Sequence, residues 1–311
     1  MKYSIVFPGQ GSQSLGMMSD LRSNFSVVNE IFQEASDAIN VDLWKIVNED
    51  QELLSLTENT QPVMLAAGYA TYKVLAGEIN LTPTSIAGHS LGEYTALVAS
   101  GSLSFFDAVQ LVRKRAELMQ AAVPSGSGSM AAILGLDDTR VIEICLKASD
   151  KGVVEAVNFN SPGQVVIAGE KKAVAHACDL MKEAGAKRAL VLTVSVPSHC
   201  SLMKDAAMEY KYSVDNINFQ IGSEKVLHNV DADCSSNIEE IKLKLVEQLY
   251  KPVLWVSTVQ KMKNSGVEKL IEAGPGKVLA GLTRRIDNSL TGSAIIDTTS
   301  LRSTIEEISN A

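Results

Sequence analysis

The stretch SIAGHSLGEY, residues 85–94, places Ser90 in the pattern Gly-x-Ser-x-Gly between Gly88 and Gly92. This pattern is typical of a nucleophile elbow, in which a sharp turn from strand to helix projects the serine hydroxyl from the top of a sheet. Glu93 follows three residues after Ser90, however, and Ser-x-x-Glu is also the capping box of a helix N-terminus. Ser90 is therefore either a nucleophile or a helix cap, and other residues must decide between the two.

A nucleophilic serine needs a general base, and the four histidines are His89, His176, His199 and His228. His89 is adjacent to Ser90 and should point away from it, while His176 and His228 lie in predicted elements where surface or structural roles are expected. His199 precedes a predicted helix, whose dipole disfavours imidazolium and so keeps the ring neutral, as a base requires. An ordinary first-turn polar residue remains the alternative. No aspartate has an obvious triad position, but a main-chain carbonyl can fix the histidine tautomer instead.

The predicted helix over 104–123 carries Arg115 in an apolar seam. Burying a guanidinium without a partner costs several kcal/mol, so Arg115 should extend to solvent, pair with an internal carboxylate or bind an anion. A substrate carboxylate would suit the planar, bidentate guanidinium. The residues that share the face of Arg115 at helical spacing are Ala108, Leu111, Leu118 and Ala122.

Strands and helices alternate around these residues, which is typical of an α/β fold. The strand YSIVF (3–7) runs into a glycine-rich loop, and a strand over 84–88 followed by a helix over 91–100 flanks Ser90. A further helix is predicted over 60–79, with Thr60 as its cap and Pro62 in its first turn.

The breaker PSGSGS after the helix at 104–123 marks a boundary. The elements predicted beyond it follow the order βαββαβ of a ferredoxin-like unit, so residues 127–195 form an expected insert within a core of residues 1–126 and 196–311. The predicted strands are 129–136, 153–159, 164–169 and 188–194, and the predicted helices are 137–149 and 171–184.

Composition excludes several classes of protein. The 311 residues are 46% hydrophobic, which supports a large core, and no segment reaches the roughly 18 uncharged apolar residues of a membrane span. The four cysteines lack CxxC spacing, so neither a zinc site nor a disulfide framework is expected. A net charge of −8 argues against a general nucleic-acid binder. We expect a cytoplasmic protein with no membrane or nucleic-acid partner.

Several motifs occur together in one order along the chain. They are FPGQGSQ (7–13), GHSLGEY (88–94), Arg115, NSPGQVVIAG (160–169), VPSHC (196–200) and EAGPGKVLAGL (272–282). With these motifs the chain resembles the bacterial malonyl-CoA:acyl-carrier-protein transacylases over nearly its whole length. The resemblance implies an α/β-hydrolase-like core that carries a ferredoxin-like insert.

The resemblance also implies roles for individual residues. Ser90 would be the nucleophile, His199 the general acid and base, and Arg115 the group that binds the malonyl carboxylate. The backbone amides of Gln10 and Leu91 would form the oxyanion hole. Leu91 follows from the elbow pattern as well, since the amide after the nucleophile faces the developing charge.

Three further site residues rest on the resemblance alone. The carbonyl of Leu254 would accept a hydrogen bond from His199, although the family often has glutamine at this position. Gln61 and Asn160 match polar positions around the family's pocket, where turn or cap chemistry is an adequate alternative.

The resemblance implies malonyl-CoA and acyl carrier protein as partners, with no metal or redox cofactor. Both partners are anionic, so local positive charge should steer them to this acidic chain. A serine hydrolase or thioesterase of related fold, and a catalytically silent docking module, remain as alternatives. The basic residues that are candidates for steering are Lys187, Arg188, Lys277, Arg284 and Arg285.

Overall fold

A computed structural model describes residues 1–194 and 196–310 of the chain. The β-strands are β1 (Tyr3–Phe7), β2 (Ile86–Gly88), β3 (Gly128–Leu134), β4 (Val154–Ser161), β5 (Gln164–Glu170), β6 (Arg188–Val191), β7 (Val226–Leu227), β8 (Lys269–Ala273) and β9 (Thr291–Ile295). The helices before β3 are α1 (Ser19–Asn24), α2 (Ser26–Ile39), α3 (Leu43–Glu49), α4 (Gln51–Ser55), α5 (Thr57–Glu78), α6 (Gly92–Ala99) and α7 (Phe105–Ala121). Those after β3 are α8 (Asp138–Ala148), α9 (Lys171–Glu183), α10 (Lys204–Asp215), α11 (Ile238–Glu247), α12 (Trp255–Asn264), α13 (Val278–Ile286) and α14 (Thr298–Ser309).

A five-stranded parallel sheet in the order β7-β2-β1-β8-β9 forms the larger half of the molecule. Its central strand β1 is buried along its whole length, as expected for a strand covered by helices on both faces. Phe7 at the end of β1 pairs with Gly88 at the end of β2. The loop after β1 and the turn after β2 therefore meet at the carboxyl edge of the sheet, where open α/β folds place their sites.

A separate antiparallel sheet in the order β4-β5-β3-β6 carries α8 and α9 and has its own apolar core. The predicted order of strands and helices in this segment is confirmed. The strand predicted over 188–194 ends at Val191, however, and Leu192 and Val194 line a cavity instead. Ser195, the last residue of the predicted insert, lies outside the described residues, as does Ala311.

The predicted start of α5 is wrong. The helix begins at Thr57, and Thr60 lies inside it, where its hydroxyl donates to the carbonyl of Leu54 at 2.6 Å. Pro62 consequently lies beyond the first turn and cannot donate to the carbonyl of Glu58. The guanidinium of Arg113 donates to that carbonyl at 3.1 Å and so replaces the missing hydrogen bond.

Among residues 1–194 and 196–310, no helix is both long enough and apolar enough to cross a membrane.

Candidate active site

The turn between β2 and α6 has the geometry of a nucleophile elbow. Ser90 has a positive φ of 51°, a left-handed conformation that a side chain other than glycine adopts only at some cost in free energy. A Cβ atom on Gly88 would overlap the main chain of Gly92, and one on Gly92 would overlap the carbonyl of Phe7. Glycine at both positions is therefore required for the strand and helix to approach each other around Ser90.

The side chain of Asn229 bridges this turn. Its Oδ1 accepts a hydrogen bond from the Ser90 amide at 2.7 Å, and its Nδ2 donates to the carbonyl of Gly88 at 2.7 Å. Both main-chain groups of the strained turn are thus satisfied. Sequence reasoning missed Asn229. The available signal was its place just after β7, at the same edge of the sheet as Ser90.

His199 is the partner of the Ser90 hydroxyl, with Nε2 2.8 Å from Oγ. Its Nδ1 lies 2.6 Å from the main-chain oxygen of Gln248. Because a carbonyl oxygen only accepts, Nδ1 carries the proton and Nε2 of the neutral ring is free to accept from serine. A main-chain carbonyl thus occupies the place of a triad carboxylate.

The prediction that Leu254 supplies this carbonyl is wrong. The Leu254 oxygen lies at the N-terminus of α12, where it accepts the Thr258 amide at 2.9 Å and the Thr258 hydroxyl at 3.0 Å. It is committed to the first turn of a helix. Gln248, just past the end of α11, takes the role instead, and no property of its side chain could have indicated this.

Burial is the main cause that lowers the pKa of His199, to about 3 from an ordinary value of 6.5, and the nearby charge of Arg115 adds to it. The hydrogen bond to the Gln248 carbonyl acts in the opposite direction. The neutral base predicted from helix position therefore has a different origin, since desolvation disfavours the imidazolium most.

Arg115 is buried, with 2% of its surface exposed. Its Nη1 donates to Gln61 Oε1 at 2.8 Å and its Nη2 to Gln248 Oε1 at 2.9 Å, while Nη2 lies 3.4 Å from Ser90 Oγ. Within residues 1–194 and 196–310 no carboxylate forms an ion pair with it, and its Nε has no hydrogen-bond partner. The predictions that Arg115 extends to solvent or pairs with an internal carboxylate are therefore wrong.

These groups share an open cavity of about 200 Å³ beside the elbow. Asn160, predicted to line it, lies behind His89 instead and accepts from His89 Nε2 at 2.8 Å. Asn158 lines the cavity, and its buried Oδ1 has no hydrogen-bond partner. The predicted site residues that line the cavity are Gln10, Gln61, Ser90, Leu91, Arg115 and His199. The apolar side chains of the cavity wall include Met119, Met130, Leu192, Val194 and Val196.

The capping box suggested by Ser-x-x-Glu is not formed. No side chain caps α6, because the Ser90 hydroxyl contacts His199. The carboxylate of Glu93 accepts instead from the Asn229 amide at 3.0 Å and the Gln248 side chain at 2.8 Å, and it lies 2.7 Å from His228 Nδ1. The choice between cap and elbow is therefore settled by geometry in favour of the elbow.

In the described part of the chain, no group of three or more histidine, cysteine or acidic side chains is arranged to hold a metal ion. The chemistry that the site offers on its own is nucleophilic attack by a serine with histidine as the base, next to a buried cation.

Fold and site together define an acyltransferase, and the acyl transferase domain family matches residues 4–288. The chain is 51% identical to the malonyl CoA-acyl carrier protein transacylase of Haemophilus influenzae, over 98% of each protein. It is 49% identical to that of Escherichia coli K12, over 98% of this chain and 99% of the relative. The chain therefore belongs to the family of malonyl CoA-acyl carrier protein transacylases.

Solved structures agree with this assignment. An acyl carrier protein S-malonyltransferase from Vibrio cholerae has a TM-score of 0.95 at 50% identity, covering 98% of this chain and all of the other. A malonyl-transacylase in complex with a type II PKS acyl-carrier protein has a TM-score of 0.97 at 48% identity, covering 99% of this chain and all of that one.

Proposed function

We propose that this protein transfers a malonyl group from malonyl-CoA to the phosphopantetheine thiol of acyl carrier protein, and so supplies fatty-acid synthesis. The observation that carries the proposal is a Ser90–His199 pair that shares one cavity with a buried arginine lacking any carboxylate partner among the described residues. The serine pair supplies acyl transfer, and the arginine selects an acyl group that carries its own carboxylate.

The first half-reaction forms a malonyl ester on Ser90. His199 Nε2 takes the hydroxyl proton as Oγ attacks the thioester carbonyl, and collapse of the tetrahedral adduct breaks the carbon–sulfur bond. The departing thiolate of coenzyme A takes the proton from His199 and leaves as a thiol. In the second half, His199 takes the proton of the carrier thiol, whose sulfur attacks the ester, and returns it to Ser90. Such ping-pong transfer balances protons without a cofactor.

The main-chain amides of Gln10 and Leu91 form the proposed oxyanion hole. Both residues line the cavity beside Ser90, and Leu91 directly precedes α6, so its amide belongs to the positive end of that helix. Each such donor is worth about 3 kcal/mol of transition-state stabilisation.

Arg115 is the proposed binding group for the malonyl carboxylate. Gln61 and Gln248 hold its guanidinium through neutral amide oxygens, which leaves the charge uncompensated. An anionic acyl group gains the missing ion pair, whereas an uncharged acyl group does not. A hydrolase or thioesterase has no use for this buried charge, and the high identity to transacylases disfavours that alternative.

The exposed basic residues are proposed to attract the two anionic partners, malonyl-CoA and acyl carrier protein. Lys187 and Arg285 come together along one surface groove, where Arg285 Nη1 donates to Gln164 Oε1 at 3.3 Å. Arg188 and Arg284 are their exposed neighbours in the chain, and Lys277 is exposed before α13. Positive charge at this place offsets the overall acidity of the chain.

We also propose the structural units of the chain, the absence of a cofactor requirement and the cellular location. We assign residues 1–126 and 196–311 to an α/β-hydrolase-like core and residues 127–195 to a ferredoxin-like insert, supported by the strand order β4-β5-β3-β6. The reaction requires neither metal nor redox cofactor, because serine and histidine supply the nucleophile and the proton transfers. Cysteines in reduced form suit a cytoplasmic location.

Intact-mass spectrometry after incubation with malonyl-CoA tests the proposal. The wild type should gain one malonyl adduct, which acyl carrier protein then removes and carries itself, while Ser90→Ala should gain none. Absence of the adduct on wild type, or its release only to water in the presence of carrier protein, would overturn the proposed transfer.

A further inference from the structure

The side chain of Gln248 connects three parts of the site. Its Oε1 accepts from Arg115 Nη2 at 2.9 Å. Its Nε2 donates to the main-chain oxygen of Ser90 at 2.9 Å and to Glu93 Oε2 at 2.8 Å. Since its main-chain oxygen also accepts from His199, one residue contacts the nucleophile, the base and the buried cation.

Glu93 determines which end of this amide faces the arginine. Its Oε2 already accepts the Asn229 main-chain N–H, which can only donate, so this oxygen acts as an acceptor towards Gln248 as well. With the amide reversed, Oε1 would face Glu93 Oε2 and Nε2 would face the guanidinium. Both contacts would then be repulsive, so the observed orientation is the one that satisfies every partner.

The same arrangement keeps Glu93 away from the charge of Arg115. Glu93 is completely buried and lies on the far side of the Gln248 amide, with His228 Nδ1 2.7 Å from its other oxygen. A direct ion pair between Glu93 and Arg115 would neutralise the guanidinium and compete with a substrate carboxylate. The neutral Gln248 amide between them holds the guanidinium in place without neutralising its charge.

We propose that Glu93 is a positioning residue for the selection of carboxylated acyl groups: it fixes the Gln248 amide, and the amide fixes Arg115. This rests on the proposed function, in which Arg115 binds the malonyl carboxylate. Glu93 does not touch the substrate. Its effect is on the ratio of malonyl to acetyl transfer. Glu93 contacts Asn229 only at the main-chain N–H, whereas the Asn229 side chain holds the elbow. No atom of Glu93 takes part in the contacts of His199 with Ser90 Oγ and with the Gln248 carbonyl, which every acyl group needs.

The test measures single-turnover acylation of Ser90 by malonyl-CoA and by acetyl-CoA. In Glu93→Ala the malonyl rate should fall about tenfold or more while the acetyl rate changes less than about threefold, so the selectivity ratio falls. Glu93→Gln should retain most of the ratio, because its amide oxygen still accepts from Asn229 and Gln248. The matched control is Glu272→Ala, which removes another completely buried carboxyl group, one that contacts the Ala280 amide in α13. It should leave the ratio unchanged.

A double-mutant cycle tests whether Glu93 acts through Gln248. Gln248→Met removes the amide but retains the carbonyl that accepts from His199. In that background, Glu93→Ala should change the ratio no further. An equal loss of both acyl groups in Glu93→Ala, or a full additional fall in the double variant, would overturn the proposal.

A replacement variant and Arg115→Ala separate failure of the positioning role from failure of folding or of the proposed function. If thermal unfolding shows that Glu93→Ala is not folded, Gln248→Glu takes its place, since it puts an acceptor against Glu93 and an anion against Arg115. An unchanged ratio in that variant also overturns the positioning role.

If Arg115→Ala leaves the ratio unchanged, the carboxylate-binding part of the proposed function fails. If Arg115→Ala lowers the ratio and Glu93→Ala does not, only the positioning role fails.

Discussion

Nδ1 of His199 lies 2.6 Å from the main-chain oxygen of Gln248, and this single contact fixes the tautomer of the histidine ring. A triad carboxylate would add a negative charge that stabilises imidazolium, whereas a carbonyl adds only a dipole. Together with burial and the charge of Arg115, this leaves the ring neutral over a wide range of pH.

The pH dependence of acylation should reflect that neutral ring. The pKa of His199 is lowered to about 3, so the rate of Ser90 acylation by malonyl-CoA should remain flat from pH 8 to about 5. Stopped-flow measurement across this range checks the prediction, and an acidic limb with its midpoint near 6.5 would contradict it.

Folding stability should follow the same shift. Between pH 6.5 and about 3 the unfolded chain binds a proton at His199 that the folded protein does not, so this residue lowers stability as pH falls. In His199→Gln that contribution should disappear. Urea unfolding at pH 7 and pH 5 measures it, and an unchanged difference between the two pH values would argue against a neutral buried His199.

Removal of the Arg115 guanidinium should change specificity more than reactivity. In Arg115→Ala, malonyl transfer should fall by about a hundredfold or more, the equivalent of losing a buried charge-assisted hydrogen-bond pair, while acetyl transfer is spared or rises. Steady-state kinetics with both thioesters provides the measurement. Lys114→Ala, on the exposed side of the same helix, is the control and should alter neither rate. Unchanged malonyl transfer in Arg115→Ala would refute the carboxylate contact.

Asn229 should be required for the geometry of the elbow. Asn229→Asp still accepts from the Ser90 amide but cannot donate to the Gly88 carbonyl, which leaves a buried acceptor unsatisfied at a cost of about 1–3 kcal/mol. We expect the acylation rate to fall about tenfold or more for malonyl and acetyl groups alike. Equal selectivity distinguishes this effect from that of Arg115, and a selective loss of malonyl transfer would be evidence against it.

Gly92→Ala should prevent the native elbow from forming. Its Cβ atom would overlap the carbonyl of Phe7, a backbone group in the central strand that cannot move aside. Circular dichroism and thermal unfolding should show severe destabilisation or no folded protein. Gly281→Ala is the matched control within α13, because its Cβ would meet no atom within 4 Å, and helix propensity favours alanine by about 1 kcal/mol. Equal effects of the two substitutions would exclude the steric explanation.

Elements with a strong local pattern were predictable, and those that depend on partners elsewhere were not. The buried strand β1 and the helix α7 follow from the sequence pattern. The start of α5 is not predictable in this way, because proline favours the first turn of a helix and Pro62 lies beyond it. The carbonyl that Pro62 leaves without its helical partner instead accepts from Arg113, which is 55 residues further along the chain from Glu58.

The sequence by itself determined the elbow at Ser90, because the spacing of Gly88 and Gly92 is a local steric requirement, and it marked Arg115 as a charge in an apolar seam. Only the tertiary structure decided what surrounds them. Every residue has a main-chain carbonyl, so no side chain in the sequence indicates that Gln248 rather than Leu254 is the partner of His199. The contact between Glu93 and Asn229 spans 136 residues, and such pairings are set by the packing of the whole sheet edge.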